Sequence, residues 1–252
     1  MSATVLIRQA YKRHRKLFFG FLNKRIPFVV KADWWDKKFY SGGIKSDAST
    51  ISKHTDEVVS RYHYSSLELL LLKYFHNRGV NICDSCILDI GSGAGHWVDF
   101  YKKLGAKKLA AIDVSSIACA YLEERFGESL NIRCGKASEI LKEEVKETYD
   151  LISAIGVMFH VVDDRECVET IKLARSALKP GGLFIVSGHF GYINGLNVQV
   201  DKSGVNKRLR SRWWWRKNIK IAGFASNDIF WNRAYLGLDW LTPEANLLFA
   251  RK

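Results

Sequence analysis

The sequence contains no long apolar run, no acidic residue near its start and no regular set of cysteines. Its 252 residues are 47% hydrophobic and 26% charged, a composition typical of globular rather than disordered proteins. None of its apolar stretches reaches the roughly 18 residues that a membrane-spanning helix needs. The longest, LELLLLKYF, therefore predicts a buried helix. A chain of this length predicts one substantial domain with extensions.

The five cysteines are an odd number, and only Cys83 and Cys86 have CxxC spacing. A structural zinc site needs four ligands, and no second pair lies near this one, so we expect no metal. Redox pairs usually open a helix, whereas this pair precedes a predicted strand. We therefore expect reduced, inert thiols in an intracellular, cytoplasmic protein.

The net charge of +13 is unevenly distributed. Residues 1–40 hold ten lysines and arginines against two acids, and residues 201–220 hold eight against one. Such clusters attract phosphate groups, nucleic acid or a membrane surface, although a solvated basic face has the same composition. Residues 1–30 hold no acid, so organelle targeting stays open, as does peripheral membrane contact through residues 1–30 or 212–217.

Between residues 65 and 188, short apolar segments alternate with segments of helical length. Ser65 followed by Glu68 is a capping-box pattern, which predicts the start of a helix that ends at Gly79. Five predicted strands follow, separated by helices such as SEILKEEVKE: CILDI, KLAAID, LNIRC, YDLISAIG and LFIVSG. Strands joined by helices pair in parallel, so we expect an α/β fold with an open, doubly wound sheet. Its ligand should lie beyond the carboxyl ends of the strands.

The alternation of short apolar segments with segments of helical length ends after Gly188. Residues at about 189–209 show no clear period and predict an inserted loop or small subdomain. SRWWWRKNIKIAGF predicts a helix on which at least one of three consecutive tryptophans faces away from the core. NDIFWNRAYL and NLLFARK predict a closing antiparallel pair. We divide the chain into a basic aromatic arm at 1–64, which can serve as a lid, and a domain at 65–252.

Three glycines follow the first predicted strand at alternate positions, Gly91, Gly93 and Gly95. Glycine permits positive φ and close approach of the backbone to a ligand, and a strand, glycine turn and helix place N–H groups against it. Asp113 ends the second strand 18 residues after Gly95, where an acid accepts ribose hydroxyls. A dinucleotide fingerprint needs a glycine at position 96, but that residue is His96. The spacing therefore favours a different nucleoside-containing cofactor.

The segment DIGSGAG resembles motif I of the class I S-adenosylmethionine-dependent methyltransferases, often written (D/E)xGxGxG. AIDVS, YDLISAIGVMFHVVDD and LKPGGLFIVSG resemble, in order, the ribose-acid segment, motif II with its substrate-side loop, and the post-II turn with the fifth strand. The resemblance covers residues 65–188, about half of the chain. It implies a Rossmann-like, mostly parallel seven-stranded sheet with a final antiparallel strand, and methyl transfer with S-adenosyl-L-methionine as cofactor.

The resemblance also implies the positions that bind this cofactor. The three glycines would admit its methionine moiety and ribose, Asp89 would fix the turn and the ammonium group, and Asp113 would accept the ribose hydroxyls. Turn capping at the strand ends is the alternative role for both acids. Adenine contacts are implied for Ala137, Ser138 and Ile155. Lys136 stands where the family often has an acid, and a lysine cannot accept a hydrogen bond from the adenine amino group.

Methyl transfer from a sulfonium requires an acceptor held in line, and a base only where the acceptor must lose a proton. The family therefore shares no fixed catalytic residue. His160, after the fourth strand, and His189, at the end of the fifth, are the catalytic candidates, with loop packing or a half-buried position as their alternatives. The substrate side is predicted to include Trp34, Trp35, Tyr40 and Tyr192.

Three functions stay open on the sequence. The leading one is methyl transfer to a small-molecule acceptor, at a hydroxyl oxygen, because AIGVMFH lacks the (N/D)PP(Y/F) segment of resembling amino-methylating nucleic-acid enzymes. The basic loops would suit an anionic acceptor. The second is an RNA methyltransferase that uses the basic clusters. The third is a non-catalytic membrane- or RNA-binding protein of the same fold. The sequence does not fix the oligomeric state.

Overall fold

A computed structural model of the chain describes residues 34–47, 57–188, 190–191, 194–201, 204–231 and 246–252. Ten strands lie in these ranges: β1 (Cys86–Ile90), β2 (Lys108–Asp113), β3 (Asn131–Cys134), β4 (Tyr149–Ile155), β5 (Leu178–Gly188), β6 (Phe190–Gly191), β7 (Leu196–Asp201), β8 (Gly204–Ser211), β9 (Ser226–Trp231) and β10 (Asn246–Arg251). Seven of them form one sheet in the order β3-β2-β1-β4-β5-β10-β9.

All strand pairs in this sheet are parallel except the two that β10 forms. β1 pairs in parallel with both β2 and β4, and β10 is antiparallel to both β5 and β9. The strand order reverses between β1 and β4, where a doubly wound sheet opens a crevice at the carboxyl ends of its strands. The predicted fold, with its closing antiparallel pair, is confirmed.

Six α-helices lie in the described ranges: α1 (Glu57–Arg78), α2 (His96–Lys103), α3 (Ser116–Phe126), α4 (Ala137–Ile140), α5 (Asp164–Ala177) and α6 (Arg212–Ile221). These helices lie on both faces of the sheet. Neighbouring residues of a strand point to opposite faces and therefore pack against different helices. Leu151 packs with the cluster that includes α1 and α2, whereas Ile152 packs with the one that includes α5 and α6. The near-continuous apolar strands of the sequence follow from this two-sided burial.

Two predicted helix boundaries are wrong. α1 begins at Glu57, so Ser65 lies well inside it and does not cap it, and residue 64 lies within the same helix. Burial of Leu67 and Leu71 against the sheet holds this longer helix in place. The helix predicted over SEILKEEVKE is only the single turn of α4, because Glu144 turns back to pair with Arg133 and to accept from the Tyr149 hydroxyl.

The segment predicted as an irregular insertion is largely β-structure. β7 and β8 form an antiparallel hairpin, and β6 pairs in parallel with β8. The helix that follows is confirmed as α6, whose first turn is capped by Ser211. Trp213 is 67% exposed while Trp214 and Trp215 are buried, so one tryptophan does face away from the core. All five cysteines are free.

Candidate active site

The turn after β1 holds all three of its glycines at positive φ, +73° at Gly91, +53° at Gly93 and +85° at Gly95. L-residues with a side chain rarely adopt this region. The three N–H groups donate, in order, to the Ile112 carbonyl, the Asp113 carboxylate and the Ser92 carbonyl. The turn is thereby fixed to the end of β2, and the N–H groups expected to face a ligand are engaged inside the protein.

Gly91 and Gly95 are also required because neighbouring side chains occupy the space of a Cβ atom. A Cβ on Gly91 would lie 2.4 Å from Val157, in the loop after β4, and a Cβ on Gly95 would lie 2.4 Å from Phe126 of α3. Gly95 therefore permits the close packing of the turn against a helix. This is the role that the dinucleotide pattern gives to its third glycine, so His96 is free to point elsewhere.

Asp89 is buried at the end of β1. Its Oδ1 accepts from the Ser153 hydroxyl of β4 at 2.7 Å, while Oδ2 is buried and has no hydrogen-bond partner among the residues that the structure describes. Burial raises the pKa of this carboxyl to about 7, although hydrogen bonds from Ser153 and Ser92 act to lower it. A buried acceptor with no partner is costly, and an ammonium group at this position would satisfy it. The residue therefore fits the role implied for it.

Asp113 lies across the same crevice at the end of β2. Its Oδ2 accepts from the Gly93 N–H at 2.8 Å and its Oδ1 from the Ser115 N–H at 2.9 Å. Burial raises the pKa of this carboxyl, and the backbone N–H groups act against that rise. A carboxylate has about four acceptor sites, so it can still take the hydroxyls of a ribose. The turn-capping role and the cofactor role are thus compatible.

Residues 34–47 lie over this end of the sheet and contact three of its loops. Trp35 meets His160, of the loop after β4, edge to face at 4.7 Å, and Trp34 at 5.0 Å. Asp36 accepts from the hydroxyls of Ser115 and Ser116 at the start of α3. Tyr40 is 6% exposed, and burial together with the nearby Asp113 raises the pKa of its hydroxyl. The described part of the arm thus has the position of a lid.

The far end of this segment is held by Asp47. Its carboxylate contacts His96 Nδ1 and the Arg125 guanidinium, each at 2.8 Å. Burial alone would raise the pKa of Asp47, but these two hydrogen bonds lower it below its usual value. His96 Nε2 lies 2.9 Å from Glu68, and the ring stacks on Tyr64 at 3.6 Å. His96 thus joins the end of this segment to α1 and to the start of α2.

The residues expected around adenine flank the same edge of the sheet. Ile155, at the end of β4, is buried. Ser138 is buried in α4, and its hydroxyl donates to Glu166 of α5 at 3.3 Å. Ala137 packs against the core cluster of that side, and the Lys136 ammonium points to Glu139 at 3.7 Å. Lys136 therefore lies in an exposed pair, and the structure places no acid where the family often has one.

On the acceptor side, His160 ends a short 3-10 turn, Met158–His160, and its ring also contacts Phe159 at 4.3 Å. The Lys207 ammonium of β8 lies 5.3 Å from the centre of the Phe159 ring. An imidazole, two aromatic rings and a cation thus lie together at the loop after β4. His189 and Tyr192, the other two candidates for this side, lie outside the described residues.

Arg210 holds the loop that carries His160 by hydrogen bonds. This arginine is 0% exposed and donates to the carbonyls of Met158 and Val161 and to Asp164. Asp164 also receives a bidentate contact from Arg208 at 2.8 and 2.6 Å. Burial would raise the pKa of Asp164, but the two guanidinium groups lower it. The hairpin thus positions the loop that carries His160.

Sequence reasoning missed Asp36, Asp47, Ser153 and Arg210. Asp36 is one of only two acids among the first forty residues, and that isolation was the only available signal. The partners of the other three are far away in the chain, so no local pattern marks them. Within the described ranges, no cluster of His, Cys, Asp or Glu side chains has the arrangement of a metal site.

Comparison with known proteins agrees with this geometry. Residues 87–182, from β1 to the start of β5, match the family model of a methyltransferase domain. The predicted resemblance to S-adenosylmethionine-dependent methyltransferases is thus confirmed for this part of the chain. S-Adenosyl-L-methionine is the cofactor of that family, and the unpaired oxygen of Asp89 and the carboxylate of Asp113 fit it.

The known proteins that match this chain have names that describe different functions. Ribosomal protein L11 methyltransferase of Staphylococcus haemolyticus is 29% identical over 134 residues, 49% of this chain and 40% of that protein. The chain spans less than half the length of the curated relatives that it matches.

Among solved structures, a putative sarcosine dimethylglycine methyltransferase from Galdieria sulphuraria has a TM-score of 0.59 at 14% identity. It covers 88% of this chain and 98% of its own. A Burkholderia thailandensis N-methyltransferase, solved with 1,6-didemethyltoxoflavin and S-adenosylhomocysteine, has a TM-score of 0.53 at 15% identity, with 76% and 89% covered. At these identities the likeness establishes the fold.

Proposed function

We propose that the chain is an S-adenosylmethionine-dependent methyltransferase that acts on a hydroxyl oxygen of a small anionic acceptor. The observation that carries the activity is the pair of buried carboxylates, Asp89 and Asp113, on either side of the glycine turn. Within the part of the chain that the structure describes, one oxygen of Asp89 has no hydrogen-bond partner, and the domain around both acids matches the family model.

When bound, the cofactor supplies an electrophilic methyl group. The chain's part is then to hold the acceptor in line and to exclude water. Trp35 and Tyr40 cover the crevice, and Tyr40 is almost fully buried. His160, half-buried beside Trp35, would take the proton from an acceptor hydroxyl at its imidazole nitrogen.

The preference for an anionic acceptor rests on Lys207, whose ammonium lies 5.3 Å from the centre of the Phe159 ring, which itself contacts the His160 ring at 4.3 Å. A cation beside a partly enclosed aromatic wall favours a carboxylate or phosphate group on the acceptor. Oxygen is favoured over nitrogen because the loop AIGVMFH lacks the (N/D)PP(Y/F) segment.

A protein acceptor is the second candidate, because relatives at 29–33% identity are named ribosomal protein L11 methyltransferases. The test is transfer from methyl-labelled S-adenosylmethionine to three separate pools: small anionic metabolites, RNA and ribosomal proteins. We expect label in the first pool, with His160→Gln slowing transfer and higher pH restoring part of the rate. Label only in RNA or protein would overturn the acceptor proposal, and cofactor binding without label in any pool would favour the non-catalytic alternative.

A further inference from the structure

Helix α6 is attached to the core by one face. Trp214, Trp215 and Ile219 are 8%, 2% and 0% exposed. The Ser211 hydroxyl accepts from the Trp214 N–H at 3.1 Å, which caps the helix, and Trp215 stacks on Phe190 at 5.3 Å. These contacts fix which residues of the helix face solvent.

The outward face of α6 combines cations with large apolar side chains. Trp213, Lys217 and Lys220 follow one another at helical spacing, with Arg216 and Ile221 on the two flanks. Trp213 is 67% exposed and Ile221 is 58% exposed. The helix carries no acidic residue. We call these five residues the α6 outer face.

This combination matches the surface of an anionic bilayer. Transfer of an indole or an aliphatic side chain to the boundary between headgroups and acyl chains is favourable in free energy. Lysines and arginines beside them are attracted to the negatively charged leaflet. Lysine stems lie along apolar surface while their ammonium groups reach outward. The Lys217 ammonium already lies 5.1 Å from the centre of the Trp213 ring, so the indole and the cation would reach the headgroups together.

The same face fits nucleic acid less well. Base stacking needs an open aromatic ring, whereas an ammonium covers one face of Trp213. Ile221 offers neither stacking nor a phosphate contact, yet more than half of it is exposed. A single convex helix face also provides no groove along which a strand could run. The exposed aliphatic residue therefore decides between the two kinds of partner.

We propose that the α6 outer face docks the protein onto a membrane surface that carries anionic phospholipids. The contact is peripheral, since no helix in the ranges that the structure describes is long and apolar enough to cross a bilayer. Its charge and its apolar side chains act together, because one weak signal gives only reversible binding. The docking surface is separate from the residues placed around the crevice, so it is independent of the proposed reaction.

The test is flotation of the full chain with vesicles of phosphatidylcholine alone or mixed in equal parts with phosphatidylserine. We expect the chain to float with the mixed vesicles only, and less so at high salt. Reversing two charges with Lys217→Glu and Lys220→Glu should lower partitioning about tenfold or more, since each cation near the surface contributes about fivefold. Trp213→Ala should also lower it.

Matched controls are available elsewhere on the surface. Lys142→Glu with Lys146→Glu reverses two exposed charges, and Leu69→Ala removes an apolar side chain that is 69% exposed. Both controls should float like the unmodified chain, and unchanged thermal unfolding shows that each variant folds. Equal flotation of the α6 variants and the unmodified chain would overturn the proposal. So would RNA binding that the α6 substitutions abolish, in a chain that does not float.

Discussion

The Asp36 carboxylate contacts the hydroxyl of Ser115, 79 residues later in the chain. Its second oxygen accepts from Ser116 Oγ at 2.6 Å, so an acid of the N-terminal arm contributes to the start of α3. Asp113 is two residues before Ser115, and Trp35 beside Asp36 contacts His160. One short segment thus contacts both the start of α3, next to Asp113, and the loop after β4 that carries His160.

Asp36→Asn should loosen this cover. The amide keeps one acceptor oxygen but loses the negative charge that a helix N-terminus favours, worth about 0.5–1 kcal/mol. Amide hydrogen exchange should therefore become faster in residues 34–47 and stay unchanged in β4. Asp84→Asn, an exposed acid at the opposite edge of the sheet, is the control. Exchange that is the same in both variants would contradict the role given to Asp36.

The same contact has a defined pH dependence. Burial alone would raise the pKa of Asp36, but hydrogen bonds from Ser115, Ser116 and the backbone outweigh it and lower the pKa below 3.8. A lowered pKa means that the contribution to stability is present above that ordinary value and is lost as the pH falls through the folded-state pKa. Exchange in residues 34–47 should accordingly increase in acid, and Asp36→Asn should remove this part of the increase.

Gly95→Ala should destabilise the protein by about 1–3 kcal/mol. The residue sits at φ +85°, and its new Cβ would lie 2.4 Å from Phe126 and 2.8 Å from Leu122. Gly42→Ala is the matched control, because a Cβ there meets nothing within 4 Å. Denaturant unfolding of both variants measures the difference. A Gly95→Ala protein as stable as Gly42→Ala would show that the turn does not need a glycine at this position.

Affinity for S-adenosylmethionine should rise with pH up to about pH 7. Burial raises the pKa of Asp89 to about 7, and an ammonium group favours the charged carboxylate, so binding below that pH must release a proton. Isothermal calorimetry in buffers of different ionisation enthalpy measures the released proton. Asp89→Asn should weaken binding and remove the proton release. Proton release that persists in Asp89→Asn would assign it to another group.

By the same linkage, a raised pKa makes the unliganded fold lose stability as the pH rises from 3.8 to about 7. The buried carboxylate must then ionise with one oxygen unpaired. Bound S-adenosylmethionine should therefore stabilise the protein more at pH values above that range than below it. Thermal unfolding with and without the ligand, across pH, checks the sign.

Arg210→Met should cost about 1–3 kcal/mol, since Asp164 loses one guanidinium but keeps its bidentate contact with Arg208. The carbonyls of Met158 and Val161 would also lose their donor. Arg210→Lys keeps the charge but not the planar guanidinium fork. Its stability should therefore lie between that of the unmodified chain and that of Arg210→Met. Arg165→Met, exposed on α5, is the control in urea unfolding. If Arg210→Lys folds, it should bind S-adenosylmethionine normally but transfer methyl groups slowly. Normal transfer would show that Arg210 does not position the His160 loop.

The strands and the glycine turn were predictable because their signals are local. An apolar run such as CILDI and three glycines at alternate positions each identify an element within a few residues. The start of α1 was not predictable, since Ser65 with Glu68 imitates a cap, while burial of Ser60 and Tyr64 extends the helix toward its N-terminus.

The site was predictable only in part for the same reason. Asp89 and Asp113 are set by motif spacing, but the lid contacts of Asp36 and Asp47 join residues far apart in sequence. The hairpin at β7 and β8 had no clear alternation, because Arg208 and Arg210 of β8 point to the same side and bind Asp164 there. A buried arginine at a core position hides the period of its strand.

The most direct test of the account is equilibrium binding of S-adenosylmethionine to the pure chain by calorimetry. We expect saturable binding at one site, weakened at least about tenfold by Asp113→Asn, since a charged acceptor of ribose hydroxyls contributes about 1.5–3 kcal/mol. Asp84→Asn should bind like the unmodified chain, and thermal unfolding confirms that each variant is folded. No binding to folded protein, or an affinity that Asp113→Asn leaves unchanged, would contradict the assignment of this crevice.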